Sequence, residues 1–252
     1  MHKIDWKKTF PETPQSFKNA VITTLNTLPA KENDNMSIIK KKSIKRSLIF
    51  VAAIVMALGL TAFASGKISS VMSSSSSIAD YKSMPTQEEV TKEFGFSPKL
   101  VETFENGYKF ESGSIANCEM TDESGNSMGK YKSFSIDYSK ADDTISLSME
   151  KVFDPSWYEN EEVTEDYNGV SLRYGSYQNK SVPGDYKLTE QDKKDEASGK
   201  YVFSYGSDEI EIVTIKSVTW QQDGIGYCLL GMDSPIEKAE FIKMAKEIVD
   251  KK

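Results

Sequence analysis

Hydrolytic chemistry at neutral pH usually runs through a histidine, and this 252-residue chain has one, His2. The long part after residue 66 has none, so neither a Ser-His-Asp nor a Cys-His arrangement can be assembled there. Carboxylates are the remaining groups for acid and base work: the pair Asp142-Asp143 and the cluster Glu159, Glu161, Glu162, Glu165, Asp166. The same cluster supplies hard oxygens for calcium, but its spacing matches no calcium-loop pattern, and a solvated acidic surface explains it without chemistry. No Gly-rich phosphate loop is present. The chain is therefore read as a non-enzyme with no catalytic residue, metal or cofactor.

Two cysteines, Cys118 and Cys228, permit one disulfide in an oxidising compartment. Closing a loop of about 110 residues, it would contribute on the order of 4 kcal/mol. Two buried thiols acting as small apolar residues are the alternative. Trp157, beside Pro155 and Tyr158, and Trp220 could line a ligand or partner surface, or belong to the core.

The elements that must position these residues are mostly strands. Short runs rich in Tyr, Phe, Val, Ile and Ser cover 107–116, 131–138, 144–152, 170–178, 200–205, 210–221 and 226–231. Turn chemistry such as Asp122-Glu-Ser-Gly125-Asn126 separates them, and Asp223-Gly224 should join the last two as a hairpin. Thr86 with Glu89 forms a capping box for a helix over 87–94 that Gly95 can end. Ser234, Pro235 and Glu237 are expected to cap a final helix with Ala239, Ile242, Ala245 and Val249 on one face. Residues 84–252 thus predict an α+β domain: a mostly antiparallel sheet with a short amino-terminal and a longer carboxy-terminal helix.

Ahead of this domain lies Leu48 to Ala64, seventeen residues with no charge. At about 1.5 Å per helical residue, and with its small neighbours, the stretch 48–66 approaches the roughly 30 Å core of a bilayer. A single transmembrane helix is the form it can take there. Lys40, Lys41, Lys42, Lys45 and Arg46 precede it while only Lys67 follows closely, which places the amino terminus in the cytoplasm and the large domain outside the cell. Residues 1–47 carry a net charge of +6 and residues 48–252 one of -13. With the outer part so acidic and the inner basic run explained by topology, nucleic acid is not an expected partner. The competing reading is a cleaved signal peptide over 36–64, ending at Ala62-Phe63-Ala64 before Ser65. Against it stand the 46 residues before Ser47 and their pattern. Residues 67–83, with Ser69, Ser70 and the run Ser73 to Ser77, read as a serine-rich spacer, either a plain tether or an accessible protease target.

Inside the cell, Thr13-Pro14 starts a helix and Pro29 stops it. Phe17, Val21, Leu25 and Leu28 recur at helical spacing over 14–28, an amphipathic helix too short to be stable alone. A groove on a partner protein, the inner membrane leaflet, or disorder are its three outcomes. In the groove reading, Trp6, Phe10, Phe17, Val21, Leu25 and Leu28 are the anchors.

The run from Trp6 through Phe10-Pro11 and Thr13-Pro14 to Phe17, with its helix ending at Leu25 to Pro29, resembles the amino-terminal segment of membrane-anchored sigma-factor regulators of Clostridium-like Gram-positive bacteria. The order of short inner helix, one span and outer domain is similar as well. The likeness covers some 35 residues inside and, more loosely, the last 80 or so. It implies an anti-sigma factor, whose inner segment holds an extracytoplasmic-function sigma factor while the outer domain meets a surface signal or a protease. Zinc-type anti-sigma domains use a His-x3-Cys-x2-Cys site, and residues 1–47 hold His2 and no cysteine. The rival class is a secreted or tethered carrier whose outer domain binds a lipid or peptide.

Overall fold

A computed structural model of the protein describes residues 70–76, 78–122, 124–152 and 162–251. The six inner anchors, the apolar stretch 48–64, Trp157 and Glu159 lie outside these residues. Among the described residues no helix is long and apolar enough to cross a membrane.

The chain after residue 69 is mostly sheet with few helices, an α+β arrangement curled into a half-barrel. In chain order the elements are β1 (Ser70–Ser75), α1 (Gln87–Phe94), β2 (Lys109–Thr121), β3 (Ser127–Lys140), β4 (Asp143–Lys151), β5 (Glu165–Tyr167) and β6 (Val170–Val182). Then come α2 (Glu190–Ala197), β7 (Val202–Tyr205), β8 (Glu211–Gln222), β9 (Ile225–Met232) and α3 (Lys238–Val249). The strands lie in the order β1-β2-β3-β4-β9-β8-β6-β5. All neighbours in that row are antiparallel; β7 pairs with β6 in parallel.

Local chemistry explains the joints. Asp223 and Gly224 both take positive φ, 54° and 76°, the mirror-image turn that suits the twist of an antiparallel pair, and β8 and β9 form the expected hairpin. Asn168-Gly169 does the same between β5 and β6, with φ of 51° and 81°. The Asp122 carboxylate accepts from the amides of Ser124 and Asn126, tying the tip between β2 and β3. Helix α1 starts as expected: the Thr86 hydroxyl accepts from the Glu89 amide at 3.2 Å, the Glu89 carboxylate accepts from the Thr86 amide at 2.8 Å, and Gly95 closes the helix in the left-handed region.

One face of the sheet is the core. By register Ile136, Leu147, Leu229, Val218 and Tyr174 form one row across β3, β4, β9, β8 and β6. Phe241, Met244, Ala245 and Ile248 of α3 are fully buried in the same cluster, as are Phe104 and Val101 from the segment before β2. Trp220 stacks flat on Tyr227, with ring centroids 5.0 Å apart. Packing is close: a Cβ added at Gly231 would lie 2.8 Å from Ser234 Cβ and 2.9 Å from Phe241 Cζ.

Three expectations need correction, and one open alternative is decided. Ser70–Ser75, inside the run read as a spacer, is an edge strand in register with β2 from Ser70 opposite Thr121 to Ser75 opposite Ala116. Composition disfavours that strand; a ready partner edge overrides it. Ser234 and Pro235 lie outside the cap of α3, whose N-cap is Glu237 with no side-chain bond. Ala239 is exposed, and the buried face runs instead through Phe241, Ile242, Met244, Ala245, Ile248 and Val249. Finally, Cys118 and Cys228 are buried thiols rather than a disulfide. They sit on β2 and β9, with β3 and β4 between them, and at about 4.8 Å per strand spacing that separation exceeds what a disulfide spans.

Candidate functional site

The acidic cluster read from sequence does not converge among its described members. Glu165 pairs with Lys246 at 2.6 Å, whereas Asp166 accepts from Ser171 at 2.7 Å. No group of acidic, cysteine or histidine side chains fit to hold a metal occurs among the described residues. Of the pair Asp142-Asp143, the first is exposed, while Asp143 accepts hydrogen bonds from the Tyr108 and Ser234 hydroxyls, the latter at 2.7 Å. Desolvation, then this hydrogen bond, holds the Tyr108 phenol in its neutral form. The three side chains tie the β3–β4 turn, the segment before β2 and the entry to α3 together, which is a structural task. Trp220 is core.

The polar chemistry that the structure does gather lies on the second face of the sheet. Strand β4 reads Asp-Thr-Ile-Ser-Leu-Ser-Met-Glu-Lys, so Ile145, Leu147 and Met149 enter the core and Ser146, Ser148 and Glu150 point to the opposite side. Pairing extends the set in rows. Ser112, Asp137, Ser146, Leu230, Ser217 and Gly175 are successive partners across β2, β3, β4, β9, β8 and β6. Ser114, Ser135, Ser148, Cys228, Thr219 and Arg173 form the next row. The apolar residues of α1 and α3 join the other face.

The centre of this second face is closed to solvent: Ser146 is 1% exposed, Glu150 6%, Ser217 6% and Leu230 1%. Ser146 donates to one oxygen of Asp137, and Ser112 donates to the other at 3.4 Å. Burial pushes the Asp137 carboxyl up from the ordinary carboxylate range, more strongly than these two donors pull it down. Ser135 and Ser148 bond each other at 3.0 Å. Farther along, burial raises the Cys118 thiol, and burial together with the nearby Glu150 charge raises the Tyr131 phenol. At the β6 end, the Asn179 amide donates to Ser181 and Ser204, at 3.0 and 2.9 Å.

The Cys118 thiol, pushed up by burial, is a poor nucleophile. The hydroxyls of these rows instead bond within the face, Ser135 with Ser148 and Ser146 with Asp137. Sequence reading missed this face because serines alternating with apolar residues look like the wet side of a strand. The signal was present in the Ser-apolar-Ser of β3 and β4 and the Ser-Val-Thr of β8.

No family model matches the sequence, no curated protein matches it, and no solved structure matches its fold.

Proposed function

We propose that the chain is a single-pass membrane regulator: its cytoplasmic segment sequesters an extracytoplasmic-function sigma factor, and its outer domain responds to a signal at the cell surface. One observation carries the reading. A charge-free stretch, Leu48 to Ala64, divides a basic segment holding one incomplete amphipathic helix from an acidic β-rich domain. The helix over 14–28 needs a partner to cover Phe17, Val21, Leu25 and Leu28, and a groove on the sigma factor would supply it, with Trp6 and Phe10 as further anchors.

Two features of the outer domain support a sensor over a lipid or peptide carrier. Phe241, Met244, Ala245 and Ile248 of α3 are fully buried against the sheet, and Gly231 has no room for a methyl group, so side chains fill the space where cargo would sit under the helix. The second face carries hydroxyls and Asp137 toward β3 and β4 and the apolar cluster Ile215, Cys228 and Leu230 toward β8 and β9, and its centre is closed to solvent, which leaves neither an acyl chain nor a peptide a seat there. The outer domain also starts close to the bilayer: only 67–69 separate the span from β1, on the order of 10 Å if extended. Events in the sheet would then be felt at the span with little slack. The absence of histidine after residue 66 accords with a binding role.

Replacing Phe17 and Leu25 by Asp in the full chain should release the partner from solubilised membranes and raise transcription from its target promoters. Unchanged recovery of the sigma factor with that variant, together with unchanged transcription on deleting residues 1–35, would overturn the reading.

A further inference from the structure

The two edges of the sheet are finished differently. At one side the row ends in β5 and β7, three and four residues long, and β5 carries Glu165 and Asp166. Short, charged strands are the usual guard against edge-to-edge pairing. At the other side the row ends in β1, six residues with neither charge nor proline, Ser-Val-Met-Ser-Ser-Ser, in unbroken register with β2. Just beyond it β2 is protected: Tyr81 bridges to Gly113 through both backbone bonds, and the Asp80 carboxylate accepts from the Ile115 amide at 2.8 Å. No described residue pairs with the outer edge of β1, and Met72 on it is 52% exposed, with Ile78 just past its end at 70%.

We propose that the outer edge of β1 is the dimerisation surface of this protein and that its occupant is β1 of a second copy, antiparallel, continuing the sheet across a two-fold axis. Charge selects that occupant. Residues 48–252 carry a net charge of -13, so most contacts between two copies set like charges against each other. The β1 edge is a neutral strip, and laying it on its own copy costs no such repulsion. An isologous contact also closes at two copies, since each edge strand is used up by the other. The register is constrained too. Side chains alternate between faces, so two sheets that continue smoothly must be related by an axis through a residue, not between residues. An axis at Met72 places Met72 opposite its own copy; an axis at Ser73 places Met72 opposite Ser74.

Six residues of strand pairing make a small interface. If the chain is membrane-anchored as proposed above, confinement to one plane with the edge near the bilayer raises the effective concentration further. The edge geometry itself does not depend on that reading, nor on what the inner segment binds.

The test uses the full chain in detergent micelles at tens of micromolar. Light scattering should give the mass of a dimer for the wild type and of a monomer for Met72→Lys, which adds like charges at an already exposed position and should leave the β-rich circular dichroism unchanged. Mild oxidation of Met72→Cys or Ser73→Cys should yield a covalent dimer at whichever position lies on the axis, while Ser176→Cys, exposed on β6, should not. A monomeric wild type, a Met72→Lys variant that stays dimeric, or cross-linking at both edge positions no greater than at Ser176→Cys would each overturn the proposal.

Discussion

The two faces of the sheet are built from the same strands but by different rules. On the helix-covered face Ile145, Leu147 and Met149 meet Phe134, Leu229 and Trp220 in a core closed by α3. On the second face Ser146, Ser148 and Glu150 alternate with them and are almost as buried, yet their neighbours are hydroxyls, Asp137, Cys228 and Leu230. Alternation in a strand therefore reports polarity and not exposure. The central strands β4 and β9 are enclosed on both sides, and on the second side β4 is held by hydrogen bonds while β9 joins the small apolar cluster of Ile215, Cys228 and Leu230.

If that contrast is right, the faces should fail differently under substitution. The largest loss belongs to the apolar side: Phe241→Ala removes a fully buried ring from the helix–sheet contact and should cost about 3–5 kcal/mol, read as a lower urea midpoint with an unchanged slope. A loss below about 1 kcal/mol would mean that the helix is not seated as described.

The second face should respond to pH instead. Because burial raises the Asp137 carboxyl in the folded protein above its unfolded value, the folded state holds that proton more tightly. Its contribution is thus fully favourable below the ordinary carboxylate value and is lost as pH rises through the raised one. Asp192, lowered mainly by its bond to Lys180 and then by Thr189, acts in the opposite sense, losing its contribution as pH falls. Comparing wild type with Asp137→Asn across that window isolates the first effect: the variant should lack the decline, and parallel curves would refute it. The smallest expected change is Ser148→Ala, which removes one hydroxyl pair with Ser135 and should cost about 0.5–1.5 kcal/mol. A stabilised variant would show that the hydroxyl rows carry no net hydrogen-bond energy.

How much of this was legible beforehand follows from which forces are local. The capping box of α1 and the Asp223-Gly224 turn are set by neighbours a few residues apart, and both are found where the residues place them. The strand runs are found too, because β-branched and aromatic residues mark them. Helix α2 was missed: Glu-Gln-Asp-Lys-Lys-Asp-Glu-Ala has no apolar stripe, and its only clue was the Thr189-to-Asp192 capping box. Strand β1 was hidden because serine composition argues for a tether while the pairing that makes it a strand comes from β2, some 45 residues away. Ser234 was misread for a similar reason: its hydroxyl is committed to Asp143, a residue 91 positions earlier. The second face was illegible because its burial is a property of the whole sheet.

Everything about the regulator rests on residues 1–47 and the outer domain remaining one polypeptide across the apolar stretch. Intact-mass spectrometry of the chain recovered from washed membranes of a Gram-positive host tests this most directly. The account predicts, in the membrane fraction, a mass that includes residues 1–47 together with the outer domain. A polypeptide beginning at Ser65 and recovered from the culture medium would contradict it.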